Sequence, residues 1–77
     1  MNATTQAIVD RLPKKPLLTP ADVAGAYGLA DSDKILADIK TGRIAVNRIG
    51  GKYIISREAA EAYIAANEYK PQEGTVK

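Results

Sequence analysis

The sequence predicts a small α+β domain in which two short helices precede a two-stranded hairpin and a further helix follows it. Its 77 residues allow one hydrophobic core, near the lower size limit for independent folding. Start and stop signals bracket the first helix between Thr19 and Gly28, and Gly42 is predicted to end the second. The apolar pattern then changes from helical spacing to alternation around Gly50-Gly51. This order is that of a small winged helix-turn-helix, here with an extra N-terminal helical element.

The composition excludes most catalytic chemistry. The chain has no cysteine and no histidine, so it lacks thiolate and imidazole metal ligands and the usual near-neutral general base. No apolar run approaches the roughly 20 residues that a membrane span needs, and the N-terminus lacks the apolar core of a signal peptide. We therefore expect a non-enzymatic protein with no cofactor, metal, small-molecule substrate or membrane partner. We expect it in the cytoplasm of a bacterial host, associated with the nucleoid.

Positive charge is concentrated in one segment of the chain. The formal net charge is only +2, but residues 19–39 are net acidic whereas residues 40–57 contain cations and no acid. The cations of the second segment are Lys40, Arg43, Arg48, Lys52 and Arg57. A solvated surface usually mixes both signs, so this segment favours a surface that faces phosphates over one that is merely solvated.

Residues 1–16 are predicted to form an N-terminal helix and connector. The helix would be capped by Thr4 or Thr5 and end near Leu12. A helix this short is marginal unless its apolar side packs on something, so a docked helix is favoured over a frayed arm. Two prolines then enforce an extended connector to the main domain, residues 17–67.

Two short helices begin the main domain. Thr19 is a helix cap followed directly by proline, and Gly28 supplies the left-handed residue that ends this helix. Asp31 is the next predicted cap, and Gly42 ends the second helix. The predicted buried side of the second helix consists of Ile35, Leu36 and Ile39. Its predicted exposed side consists of Ser32, Asp33, Lys34, Ala37, Asp38 and Thr41.

A tight hairpin and a last helix complete the predicted domain. The hairpin strands lie near residues 44–49 and 52–55. The predicted cross-strand pairs are Ile49 with Lys52, Arg48 with Tyr53, and Val46 with Ile55. Ser56 caps the last helix. The predicted core residues of that helix are Ala59, Ala60, Tyr63 and Ala66. Residues 68–77 are predicted to be a disordered tail.

Several motifs of the main domain are shared with a known family. They are Leu18-Thr19-Pro20-Ala21-Asp22-Val23-Ala24, Ile35, Ile39, Gly42, Arg48-Ile49-Gly50, Lys52-Tyr53 and Ile55-Ser56-Arg57-Glu58. From about Leu17 to Ala66 the chain resembles the phage excisionases, or recombination directionality factors, of the winged-helix type related to mercury-resistance-type regulators. The part from Gly42 to Glu58 is the more specific, since helix-turn-helix patterns often arise by chance.

This resemblance implies a role in DNA recombination. The second helix would enter a major groove, and Arg48 of the wing would reach an adjacent minor groove. The protein would bind the arm of an attachment site cooperatively with other copies of itself, bend it, and direct phage integrase toward prophage excision. The residues expected to contact double-stranded DNA are Ser32, Asp33, Lys34, Ala37, Lys40, Thr41, Arg43, Arg48, Gly50, Gly51, Lys52 and Arg57.

The second helix is poorer in arginine than is usual in this family, and Gly51 stands where the wing tip often carries a cation. We therefore expect few base contacts, with affinity from phosphates and specificity mainly from DNA shape.

Alternatives remain for single residues and for the whole chain. Lys34 is as well placed to pair with Asp31 or Asp38 as to contact a base. Arg57 lies in the first turn of a helix, where a cation is disfavoured, which suggests an external anion or a wing contact. The whole chain is alternatively a small phage transcription regulator on the same scaffold. Less favoured is a protein-interaction module that uses the acidic second helix and Ile54.

Overall fold

Within residues 1–69, which the computed structural model describes, the chain forms four α-helices and a three-stranded antiparallel sheet. The elements are α1 (Ala3–Asp10), β1 (Leu17–Leu18), α2 (Pro20–Tyr27), α3 (Asp33–Lys40), β2 (Asn47–Ile49), β3 (Lys52–Ser56) and α4 (Arg57–Ala66). The strand order is β1-β3-β2. The predicted α+β class is confirmed. The predicted tail, residues 68–77, lies outside the described residues from position 70 onward.

The two short helices begin at local capping signals. The Thr19 hydroxyl accepts a hydrogen bond from the Asp22 N–H (3.1 Å) while the Asp22 carboxylate accepts one from the Thr19 N–H (3.0 Å). Thr19 therefore caps α2 as predicted, and Asp22 completes a capping box that was not among the predictions. In α3 the Asp31 carboxylate accepts from the Asp33 N–H (3.1 Å). The cap position is nevertheless Ser32, whose side chain makes no capping bond, so the predicted cap is one residue early.

Gly42 ends α3 in a Schellman motif. Its φ angle is 80°, its N–H donates to the Ile39 carbonyl (3.1 Å), and the Arg43 N–H donates to the Asp38 carbonyl (2.8 Å). Gly28 ends α2 in the same left-handed conformation. Both predicted helix stops are confirmed.

Gly42→Val is expected to destabilise the protein by about 1–2 kcal/mol, because a β-branched side chain is strained in the left-handed region. A side-chain β-carbon there would meet no atom within 4 Å, so the cost comes from the backbone alone. Gly25, inside α2, is equally open and has no positive φ. Gly25→Ala is therefore the matched control, with an expected gain of roughly 0.5–1 kcal/mol. Thermal melting measures both, and an unchanged Gly42→Val would show that this position tolerates another backbone conformation.

The β2–β3 hairpin keeps the predicted register near its turn. The cross-strand pairs are Asn47 with Ile54, Arg48 with Tyr53, and Ile49 with Lys52. Gly50 has a φ of 58°, the conformation that a two-residue hairpin turn requires at its first position. The predicted turn and the two predicted pairs beside it are confirmed.

Away from the turn, the sheet differs from the prediction. The predicted pairing of Val46 with Ile55 is wrong, because β2 begins only at Asn47. Ile55 instead pairs with Leu18 of β1 on the other edge of β3. A strand of two residues is too short to show the alternating pattern by which strands are predicted, so β1 is not among the predicted elements. Ile44 and Ile55 are both buried, as their predicted side of the hairpin requires.

Helix α1 packs on α2 and α4 and contributes apolar side chains to the common core. The docked alternative is therefore confirmed. The predicted cap at Thr4 or Thr5 is wrong, because Asn2 caps the helix by accepting from the Thr5 N–H (2.8 Å). Since α1 shares the core, residues 1–16 and residues 17–67 form one packing unit.

Helix α4 closes the core from the other side. Ser56 accepts a hydrogen bond from the Ala59 N–H (3.0 Å) and caps the helix as predicted. Tyr63 and Ile64 are buried, whereas the predicted core residue Ala66 is exposed. Ile64 takes this role because α1 packs against a second side of α4.

Candidate nucleic-acid interface

A groove of about 680 Å³ lies between the starts of α2 and α3 and the beginning of β3. Its lining residues are Leu17, Leu18, Thr19, Pro20, Ala21, Ser32, Leu36, Gly51, Lys52, Tyr53 and Ile54. The groove brings together three of the predicted contact residues, Ser32, Gly51 and Lys52. The start of α2 is not among the predicted contacts. The Thr19 cap marks this helix start in the sequence, but the sequence does not show that the helix start lies beside the hairpin.

The outward side of α3 carries most of the predicted helix contacts. Its exposed residues are Asp33, Lys34, Ala37 and Lys40, followed by Thr41 just beyond the helix. With 3.6 residues per turn, Lys40 lies about one turn beyond Leu36, on the side that lines the groove. Lys34 lies nearly opposite Leu36 around the helix and points toward Asp38. Of the two lysines of α3, Lys40 therefore lies on the side of the helix that faces the groove, one turn beyond its lining residues.

The prediction that Asp38 is exposed is wrong. Only 5% of this residue is exposed, and its carboxylate accepts a 2.5 Å hydrogen bond from the Tyr63 hydroxyl of α4. The other carboxylate oxygen accepts from the Lys34 ammonium at 3.3 Å. The hydrogen bond from Tyr63, with help from Lys34, holds the pKa of Asp38 below its ordinary value of 3.8 despite burial. Asp38 is therefore ionised at neutral pH and ties α3 to α4.

Two tyrosines extend this polar contact through the core. The rings of Tyr27 and Tyr63 meet edge to face with their centres 6.2 Å apart, and the Asn67 amide donates to the Tyr27 hydroxyl (3.1 Å). Burial and the hydrogen bond to Asp38 raise the pKa of Tyr63 to about 12. Burial also raises the pKa of Tyr27. Helices α2, α3 and α4 thus meet in one cluster of ring contacts and hydrogen bonds.

The tip of the β2–β3 hairpin is basic and projects into solvent. Arg48 and Lys52 are exposed on either side of the Gly50-Gly51 turn. The Arg48 guanidinium lies 5.6 Å from the centre of the Tyr53 ring, within range of a cation–π contact. Ile49 is 66% exposed between them. The hairpin therefore presents two cations and one aliphatic side chain.

Some of the predicted basic contacts form no ion pair within residues 1–69. The ion pairs there join Lys15 to Asp22 (3.5 Å), Lys34 to Asp38 (3.3 Å) and Arg57 to Glu61 (3.2 Å). The predicted basic contacts outside these pairs are Lys40, Arg43, Arg48 and Lys52, which we call the interface cations. All are exposed, so their charges are available to an external anion.

Arg57 is engaged by its own chain. Its guanidinium donates to the Pro13 carbonyl (2.6 Å) and pairs with Glu61 (3.2 Å). Its main-chain N–H donates to the Pro16 carbonyl (2.9 Å). These contacts fasten the connector between α1 and β1, which accounts for a cation in the first turn of α4. Unlike the interface cations, Arg57 therefore has partners for its charge within its own chain.

Three further observations bear on the class of protein. Comparisons of the chain with protein-family models, characterised proteins and solved structures found no match. Among residues 1–69, no group of acidic side chains is placed to hold a metal ion, and no helix is long and apolar enough to cross a membrane.

Proposed function

We propose that this protein is a winged helix-turn-helix protein that binds double-stranded DNA. In this interpretation α2 and α3 are the helix-turn-helix, the β2–β3 hairpin is the wing, and α4 completes the core. The observation that carries the proposal is that the interface cations are exposed and form no ion pair within residues 1–69. On α3, the Asp38 carboxylate is buried and accepts hydrogen bonds from Tyr63 and Lys34.

The groove offers a path for one phosphate backbone between α3 and the wing. Lys52 lines it from the wing, and Lys40 extends the same side of α3 by one turn. The start of α2 borders this path, but its capping box already uses the Thr19 and Asp22 N–H groups, so the cations are the groups that would hold the phosphates. The outward side of α3 would then meet the major groove.

Base readout by α3 is limited by its side chains. Asp33 repels phosphates, although a carboxylate can accept a hydrogen bond from a cytosine amino group. Ala37 offers only a methyl group, and Lys34 is paired with Asp38. Affinity would come mainly from phosphates. Specificity would come from DNA shape, with Arg48 favouring a narrow, A·T-rich minor groove.

Among DNA-binding proteins we favour an excisionase. The segment from Leu17 to Ala66 resembles the phage excisionases, and this resemblance supports the role, above all in the part from Gly42 to Glu58. One domain of this size covers a short site with modest discrimination. Several copies would therefore bind adjacent sites on an attachment-site arm, bend it, and favour the integrase complex that excises a prophage. The protein would be architectural, with strand cleavage left to the integrase, and would act in the cytoplasm of a bacterial host.

Two other functions are distinguishable from excision by experiment. A phage transcription regulator would use the same scaffold and would give stepwise gel shifts on its site with no effect on excision. A protein-interaction module is the second alternative. It is supported by the apolar lining of the groove, in which Leu17 is 56% exposed. Such a module would show little dependence on salt.

Salt dependence provides the first test of DNA binding. With four interface cations, the log–log slope of affinity against salt is expected to be roughly −3 to −4. Lys40→Ala should reduce the magnitude of the slope by about one and weaken binding evenly across sequences. Arg11→Ala is the matched control, because Arg11 is exposed beside Gly28, at the opposite end of α2 from the groove. Fluorescence anisotropy over a salt series measures the slope, and a slope near zero would contradict DNA binding.

The same titration has a gain-of-binding arm at the wing tip. Gly51 has no positive φ, and a side-chain β-carbon there would meet no atom within 4 Å. Gly51→Lys therefore adds a cation without strain and should steepen the salt slope by about one. Gly51→Gln adds a side chain without charge. Equal affinities for these two variants would indicate that the tip lies away from the duplex.

A further inference from the structure

The Arg48 side chain is placed by a contact within the hairpin. Arg48 and Tyr53 are directly opposed on β2 and β3, so their side chains share one face. The guanidinium carbon lies 5.6 Å from the centre of the ring. Arg48 is exposed, whereas Tyr53 is half-buried and lines the groove. The exposed cation thus lies over a ring that is half-buried in the fold.

Contact with a ring face restricts a cation without using its donors. An exposed arginine occupies many rotamers, and ordering it on binding costs entropy. The ring face attracts the guanidinium electrostatically and leaves its five N–H donors free for another acceptor. Arg48 forms no ion pair within residues 1–69 that would compete for them. Its side chain is therefore partly ordered before any ligand arrives.

We propose that Tyr53 is a positioning residue whose ring orients Arg48 toward a narrow minor groove and so sets the A·T preference of the wing. This inference rests on the proposed DNA-binding function. Without the ring, Arg48 keeps its charge and still attracts phosphates, but it loses its preference for groove width. The Tyr53 hydroxyl makes no hydrogen bond within residues 1–69, so the ring carries the effect.

Two duplexes that differ only in an A·T-rich or G·C-rich central segment test this role. Tyr53→Leu is expected to weaken binding to the A·T-rich duplex about two- to fivefold and to leave the G·C-rich duplex unaffected. Tyr53→Phe should match the wild type on both. In an Arg48→Ala background, Tyr53→Leu should have no further effect. Equal losses on both duplexes, or the same loss with and without Arg48, would overturn the proposal.

An NMR measurement on the free protein tests the placement without DNA. Ring currents should shift the Arg48 side-chain resonances upfield in the wild type and in Tyr53→Phe, but not in Tyr53→Leu. Unshifted Arg48 resonances in the wild type would overturn the proposal even if Tyr53→Leu fails to fold. Failure of the wild type to bind either duplex would overturn the DNA-binding function and this role with it. Wild-type binding without coupling between the two residues would overturn the role of Tyr53 alone.

Discussion

Tyr63→Phe is expected to destabilise the protein by about 2–3 kcal/mol at neutral pH, because it removes the closest donor to the buried carboxylate of Asp38. Asp38 is only 5% exposed, so water does not readily replace the lost hydroxyl. Lys34 stays within 3.3 Å, but its side chain is 67% exposed and compensates little. A loss of this size is a large part of the stability of a small domain.

The pH dependence of this loss identifies its cause. The folded-state pKa of Asp38 lies below its ordinary value of 3.8. The stability that the ionised group contributes is therefore present above pH 3.8 and is lost as the pH falls through the folded pKa. The deficit of Tyr63→Phe should shrink in the same range. Because the pKa of Tyr63 is raised from 10.0 to about 12, the wild type should also lose stability as the pH rises between those values. Tyr63→Phe should lose less, because only Tyr27, whose pKa is also raised, still contributes.

Urea unfolding at neutral pH and at about pH 3 measures the effect. Tyr53→Phe is the matched control, because the Tyr53 hydroxyl makes no hydrogen bond within residues 1–69. A deficit of the same size at both pH values would mean that the Tyr63 hydroxyl contributes through packing and not through the carboxylate.

Leu12→Ala is expected to cost about 2–5 kcal/mol, the usual range for truncating a buried leucine. Leu12 is 2% exposed and belongs to the same core as the buried residues of α2, α3 and α4. Its truncation leaves a cavity where the connector meets the main domain. An independent N-terminal arm would show no such loss, so this substitution measures whether residues 1–16 belong to the cooperative unit.

Leu17→Ala is the control for this substitution. It removes the same atoms from a side chain that is 56% exposed, and its expected cost is below about 1 kcal/mol. Thermal melting of both variants gives the comparison. Small and similar losses for both would place Leu12 outside the core that governs unfolding.

Local signals allowed much of the fold to be predicted. The caps at Thr19 and Ser56 and the stops at Gly28 and Gly42 act through neighbours within a few residues, so a single sequence displays them. The Gly50-Gly51 turn fixes the first pairs of the hairpin in the same way. Strand β1 has no such local signal, because its two residues form a strand only by pairing with β3.

Residues with distant partners could not be predicted from periodicity. Asp38 has the helical position of an exposed residue, and its partner Tyr63 lies 25 positions away in sequence. Arg57 finds Pro13 at a separation of 44 positions. Both contacts depend on how helices and connector dock, which the spacing of apolar residues does not specify.

In the candidate site too, some features could be predicted from the sequence and others depend on tertiary structure. The charge of residues 40–57 predicted the interface cations together with Arg57, because a run of cations without acids is visible in the sequence. Only the structure separates Arg57, which contacts Pro13 and Glu61. The groove that brings Lys52 near Ser32 and the start of α2 depends on the tertiary arrangement. The alternatives for Lys34 could not be separated in advance, since a pair with Asp38 and a base contact require the same spacing. The ion pair at 3.3 Å favours the first.

The bond between Asp38 and Tyr63 also affects how this protein can diverge. It fixes the rotation of α3 about its axis. The core therefore determines which residues of α3 face outward, whatever those residues bind. Asp33 and Ala37 are exposed, and neither side chain forms a hydrogen bond within residues 1–69. Replacing either residue with another is nearly neutral for folding stability. Under the proposed function, descendants of this protein can acquire new target sequences through these two positions while inheriting an unaltered framework.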